Sequence, residues 1–184
     1  MVTMTEMTTE PMTAAVRAMV ADQFERIRQG MGSVTDGLSQ AAAVWRPDGD
    51  ANSIAWLLWH LTRIQDDHVA HLAGQEQVWT SAGWAERFAL PFETGATGFG
   101  HSSADVAAVR AAPADLAAYH ADVHGLSLSY AGTLTAAELA RVVDTRWDPP
   151  VTASVRLVSL TGDCLKHLGQ AQYVRGLAQR AGIR

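Results

Sequence analysis

The chain has 184 residues, a formal net charge of −5 and one cysteine, Cys164. That length suits a single domain with a substantial core, and an acidic balance without any basic run excludes a nucleic-acid surface. One cysteine rules out an intramolecular disulfide framework and fits a reducing, cytoplasmic compartment, while no stretch approaches the roughly 20 apolar residues of a membrane span.

Residues 1–12 are rich in Thr and Met, carry no basic residue and lack a continuous apolar core, which argues against a secretory signal. They are expected to form a flexible arm ahead of one domain over 13–184. From Thr13 the pattern is helical throughout, without alternating strands. A first helix is predicted over 13–38, with Ala15, Met19, Phe24, Ile27, Met31 and Val34 as its buried stripe. Gly30, Gly32 and Gly37 weaken its second half. Trp45 to Asp50 reads as a turn from its Pro, Asp and Gly content. Asn52 or Ser53 then caps a second helix that runs to Ala73 and stops at Gly74. Ile54, Leu57, Leu61 and Ile64 form its stripe, and His60 lies beside them.

Residues 75–101 form the longest irregular stretch, with Trp79, Trp84, Phe88, Phe92 and the run Gly95-Ala96-Thr97-Gly98-Phe99-Gly100. A connection this long is functional or a lid, and its aromatics favour packing against the helices. The glycine run fits neither dinucleotide nor P-loop spacing, and no Gly-x-Ser-x-Gly elbow occurs. Ser102 or Ser103, with Asp105, opens a short helix to Arg110. Pro113 starts a third long helix reaching about Ala131, and Thr135 to Glu138 opens a brief one. Trp147-Asp148-Pro149-Pro150 is a stop, and the last helix spans 153–180. Four long helices with short accessories predict an all-α bundle.

Asp163 and His167 stand one turn apart and project from one side of that last helix. Leu160, Ala171, Val174 and Ala178 share the side, so the carboxylate is expected to be buried and in need of a cation. A divalent metal would serve, and both side chains are good ligands. Arg156 or Arg63 would instead make Asp163 a structural ion pair. A third ligand must come from elsewhere, and His60 is the best candidate, although a lone core histidine more often donates to a backbone carbonyl. His120 and His124 form a rival i, i+4 pair on what reads as an acidic, half-exposed face. Asp66, Asp67 and His68 read as a solvated helix end, and Asp67 and His71 as candidates to support the ligands. Cys164 is better explained as a small buried hydrophobe than as a ligand.

The segment Asn52-Ser53-Ile54-Ala55-Trp56-Leu57-Leu58-Trp59-His60, Trp147-Asp148-Pro149-Pro150-Val151 and His167-Leu168-Gly169-Gln170-Ala171 together resemble the DinB-like superfamily. That group includes mycothiol-dependent maleylpyruvate isomerase and related thiol S-transferases. The resemblance spans nearly the whole chain and implies an up-down-down-up four-helix bundle. It also implies zinc or nickel in an open three-ligand site formed by His60, Asp163 and His167. Asp163 departs from the histidine or glutamate usual at its position, and being shorter it should either draw the metal closer to its helix or hold it more weakly. Leu168 replaces an arginine often found before Gly-Gln.

The implied function is metal-dependent transfer of a low-molecular-weight thiol to a small electrophile, as a transferase or isomerase. Mycothiol is the co-substrate that the resemblance implies, and the composition agrees: Lys166 is the only lysine among 14 basic residues, a bias that points with the resemblance to a GC-rich, actinobacterial source. The aromatic stretch from Trp79 to Phe99 is expected to wall the substrate pocket. The competing reading is a non-catalytic metal-binding stress or interaction protein. Apolar helix faces would also allow a homodimer.

Overall fold

Local signals set most helix boundaries in the computed structural model, which describes residues 4–183. In chain order the helices are α1 (Met4–Thr35), α2 (Gln40–Val44), α3 (Ile54–Ala73), α4 (Val78–Ser81), α5 (Trp84–Phe88), α6 (Ser103–Ala108), α7 (Pro113–Thr133), α8 (Ala136–Ala140) and α9 (Ala153–Arg180). A ribbon of β1 (Val142–Asp144) and antiparallel β2 (Val151–Thr152) lies between the last two. The Ser53 hydroxyl accepts from the Trp56 amide to start α3, and Gly74 ends it in the left-handed region. Ser102 and Asp105 form a reciprocal capping box on α6, Pro113 opens α7, and Thr152 caps α9.

α1 departs from expectation at both ends. It begins at Met4 rather than Thr13, and residues 1–3 of the expected arm lie outside the described residues. It ends at Thr35, before Gly37 at φ +62°. Phe24, Ile27, Met31 and Val34 are buried as predicted, but Ala15 and Met19 face outwards; Thr13 takes the inner position instead. α2 and the ribbon were not foreseen. Each is too short to develop a hydrophobic period.

The long helices pack in the cyclic order α1, α7, α3, α9. α3 and α9 run antiparallel, with His60 facing His167 and Leu61 facing Cys164. α1 and α7 are also antiparallel: Arg17 reaches the Leu134 carbonyl while Glu25 meets His124. α1 and α9 run side by side, Gly30 against Leu168 and the Val34 carbonyl against Arg175. The result is an up-down-down-up, all-α bundle. α3 is buried all round from Ile54 to Leu61, as a helix apolar on every face must be.

The connection after α3 is fastened to it by buried charge. Asp66, expected in solvent, has no exposure. Its carboxylate accepts from the amides of Val78 (2.8 Å) and Trp79 (2.7 Å) and from the Tyr119 hydroxyl (2.8 Å), with Arg63 Nη1 at 3.6 Å. Burial holds its carboxyl above the ordinary value, and those donors oppose the shift. Arg63 also donates to Gln77 Oε1 and to the carbonyl of Ala96, and its guanidinium lies over the Trp79 ring. Trp79, Trp84 and Phe88 close around Tyr119 at 5.3–5.9 Å between ring centres. These aromatics are therefore core.

Two glycines of α1 should respond in opposite ways to alanine. At Gly30 an added Cβ would meet Leu168 Cδ2, Cγ and Cδ1 at 2.2, 3.1 and 3.3 Å, so that buried leucine would have to shift. At Gly32 nothing lies within 4 Å. Gly30→Ala should cost about 1–3 kcal/mol through overpacking, less whatever is gained in helix propensity. Gly32→Ala should gain about 0.5–1 kcal/mol. Denaturant unfolding of both variants checks the signs.

Candidate metal centre

α3 and α9 bring the three predicted residues together. His60, Asp163 and His167 each offer a ligand atom, and these atoms lie within 4.8 Å of one another. The two imidazole centres are 4.7 Å apart at an interplanar angle of 77°. Trp56, one turn before His60, stacks on its ring at 4.7 Å and meets His167 edge-on. The set lines a cavity of about 750 Å³ with Ile64, His68, Gly98, Phe99, Trp147 and Leu160.

Each histidine has its Nδ1 engaged. His60 Nδ1–H donates to the carbonyl of Thr97 at 2.5 Å, and His167 Nδ1–H donates to Gln170 Oε1 at 2.8 Å. Both bonds leave the Nε2 lone pair free for an ion. The second bond gives a physical role to Gln170, three residues after His167. Burial, then the neighbouring His167, lowers the proton affinity of His60 against the pull of Thr97 and Asp163, which favours the neutral ligand form. His167 Nε2 stands 3.7 Å from Asp163 Oδ1. Ligand atoms around a tetrahedral ion with bonds near 2.0–2.2 Å sit roughly 3.3–3.5 Å apart. The donor set fits a divalent metal after an inward closure of about 1 Å.

Asp163 is not buried as expected. Its side chain is 40% exposed, because its side of α9 opens onto the cavity rather than onto another helix. The alternative arginine partners are engaged elsewhere: Arg156 with Asp144 at 3.0 Å, and Arg63 in the Asp66 cluster. His120 and His124 are buried between α1 and α7, not half-exposed, and burial pushes His120 down to about 3. They lie apart from the three-residue cluster. Cys164 is fully buried, its Sγ donating to the Leu61 carbonyl at 3.6 Å, and burial raises its thiol well above the ordinary value. Asp67, His68 and His71 line a neighbouring cleft with Asp144, Arg146 and Arg156, and His68 also borders the metal cavity.

Of the aromatic stretch, only its glycine-rich end reaches the cavity. The Thr97 carbonyl, His101 and Trp147 were not picked out as parts of the site. His101 Nδ1 accepts from Trp56 Nε1 at 3.2 Å, and its ring stacks on Trp59. The available signal was Gly98. At φ +97° its missing Cβ would lie 2.8 Å from His60 Nδ1 and 3.0 and 3.2 Å from the rings of Trp59 and Trp56. Gly98→Ala must therefore displace the Thr97 carbonyl from His60. Zinc affinity should fall about 10–100-fold, as when partners that orient a ligand are lost. Competition with a chromophoric chelator measures this, and circular dichroism should show unchanged helix content.

Among the described residues, no helix is long and apolar enough to cross a membrane. No curated protein matches the chain. A crystal structure described as the conserved protein of locus from Enterococcus faecalis superposes with a TM-score of 0.81 at 31% identity, over 87% of this chain and 95% of that one. Residues 16–179 match the mycothiol S-transferase family. With this bundle and that match over most of its length, the chain belongs to the mycothiol S-transferase family of DinB-like proteins.

Proposed function

We propose that the protein is a metal-dependent S-transferase that joins mycothiol to a small electrophile, with His60, Asp163 and His167 holding zinc or nickel. The observation that carries this reading is the convergence of three ligand atoms within 4.8 Å on a cavity of about 750 Å³. Three protein ligands leave coordination positions open, which suits catalysis rather than a closed structural site. A cavity of this size holds a ligand of small-molecule dimensions.

A divalent ion held there would depress the pKa of a coordinating thiol, so that thiolate is available at neutral pH. The chain's own residues prepare that chemistry. Thr97 and Gln170 orient the two imidazoles, and Trp56 packs against both rings. Asp163 adds one negative charge, which offsets half of a divalent cation. The half-exposed carboxylate gives the departing thiol proton a route to solvent. The lone buried thiol of Cys164 fits a reducing compartment, and we place the protein in the cytoplasm.

Protein purified without a histidine tag should carry about one zinc or nickel per chain by elemental analysis, as one three-ligand site implies. Alanine at His60, Asp163 or His167 should bring this to the level of a blank, whereas Asp163→Glu should keep it. Calorimetric titration of mycothiol into metal-loaded protein should show binding that the alanine variants lose. An absence of thiol binding overturns the reading, and turnover of an electrophile panel separates the enzyme from a passive binder.

A further inference from the structure

Resting on the S-transferase reading, we propose that Phe99 and Trp147 form an aromatic seat for the second substrate, and that this substrate is a ring-bearing electrophile. Phe99 is 93% exposed and Trp147 65% exposed. They come from unrelated segments, the glycine-rich loop before α6 and the turn between β1 and β2, yet both line the cavity that contains His60, Asp163 and His167. Large aromatics left in water at the mouth of a cleft mark a binding surface.

The loop bearing Phe99 is pinned, so its exposure does not reflect a loose tip. Arg63 holds the Ala96 carbonyl, His60 holds that of Thr97, and the His101 amide donates to the Gly98 carbonyl at 3.2 Å. Gly98 and Gly100, at φ +97° and +75°, carry the backbone past Phe99 in conformations that other residues avoid. Its ring is thus presented beside the metal ligands by a fixed backbone.

Trp56, Ile64 and Leu160 continue the apolar surface of the cavity. A ring placed between the side chains of Phe99 and Trp147 gains contact on two aromatic faces.

Phenyl vinyl ketone and methyl vinyl ketone share one reacting centre and differ by a ring. In either, the thiolate sulfur bonds to the terminal alkene carbon. The π pair moves to the enolate, which takes up the proton that the thiol gave up. Wild-type holoenzyme with mycothiol should show a KM about tenfold lower for the phenyl ketone, the scale of one good aromatic contact. Phe99→Ala and Trp147→Ala should each erase most of that difference with metal content unchanged.

The same seat is read without turnover by titrating the unreactive propiophenone and butanone into metal-loaded protein. Propiophenone should bind about tenfold more tightly, and each variant should lose most of that margin. Equal binding of the two ketones, or variants that bind propiophenone like wild type, overturns the seat. So does a wild-type dimer that becomes monomeric in either variant. Propiophenone bound through both residues, with neither vinyl ketone turned over, upholds the seat and overturns the S-transferase reading instead.

Discussion

The site depends on two opposite charges that have no contact with water, Arg63 and Asp66 on consecutive turns of α3. A lone buried carboxylate or guanidinium would be costly, and removing one partner of such a pair typically costs about 3–5 kcal/mol. Here each charge also takes hydrogen bonds from, or gives them to, the segment that follows α3. Asp66 ties down the start of α4, Arg63 ties down Ala96, and Tyr119 of α7 closes the cluster. Some thirty residues of connection are thereby held at both ends against one helix. The carbonyl of Thr97 comes to rest on His60 because its neighbour is already held.

This arrangement explains which parts of the molecule were legible in the sequence. Ser53, Gly74, Ser102 with Asp105, and Pro113 act within one turn of where they stand, so both ends of α3 and the starts of α6 and α7 could be read from neighbouring residues. Asp163 and His167 were legible for the same reason, since i, i+4 spacing fixes a shared side. Asp66 was misjudged because its partners lie 12, 13 and 53 residues away, where no local pattern reaches. The Thr97 carbonyl has no side-chain signature at all. Its trace is Gly98, whose need for a bare α-carbon arises from the rings of α3 and not from its own neighbours.

The replacement of arginine by Leu168 finds its reason in the packing of α9 on α1. Leu168 is buried against the bare backbone of Gly30. An arginine there would have to place its charge between the two helices. The glycines that weakened the first helix on paper are therefore of two kinds, one required by a neighbour and one tolerated at the surface.

The short carboxylate at Asp163 is intelligible in the same terms. Beside it in the chain, the small side chain of Cys164 lies between α9 and α3, with Sγ only 3.6 Å from the Leu61 carbonyl. Helices held that close leave less distance for the adjacent ligand to span, so a side chain one methylene shorter than glutamate still reaches the neighbourhood of both imidazoles. Asp163 is half in water, where its carboxylate is solvated, while burial lowers the proton affinity of His60. Neither ligand therefore imposes an unpaired buried charge on the bundle. Metal affinity and fold stability are separable here, which is why substitutions at the three ligands should empty the site without unfolding the chain.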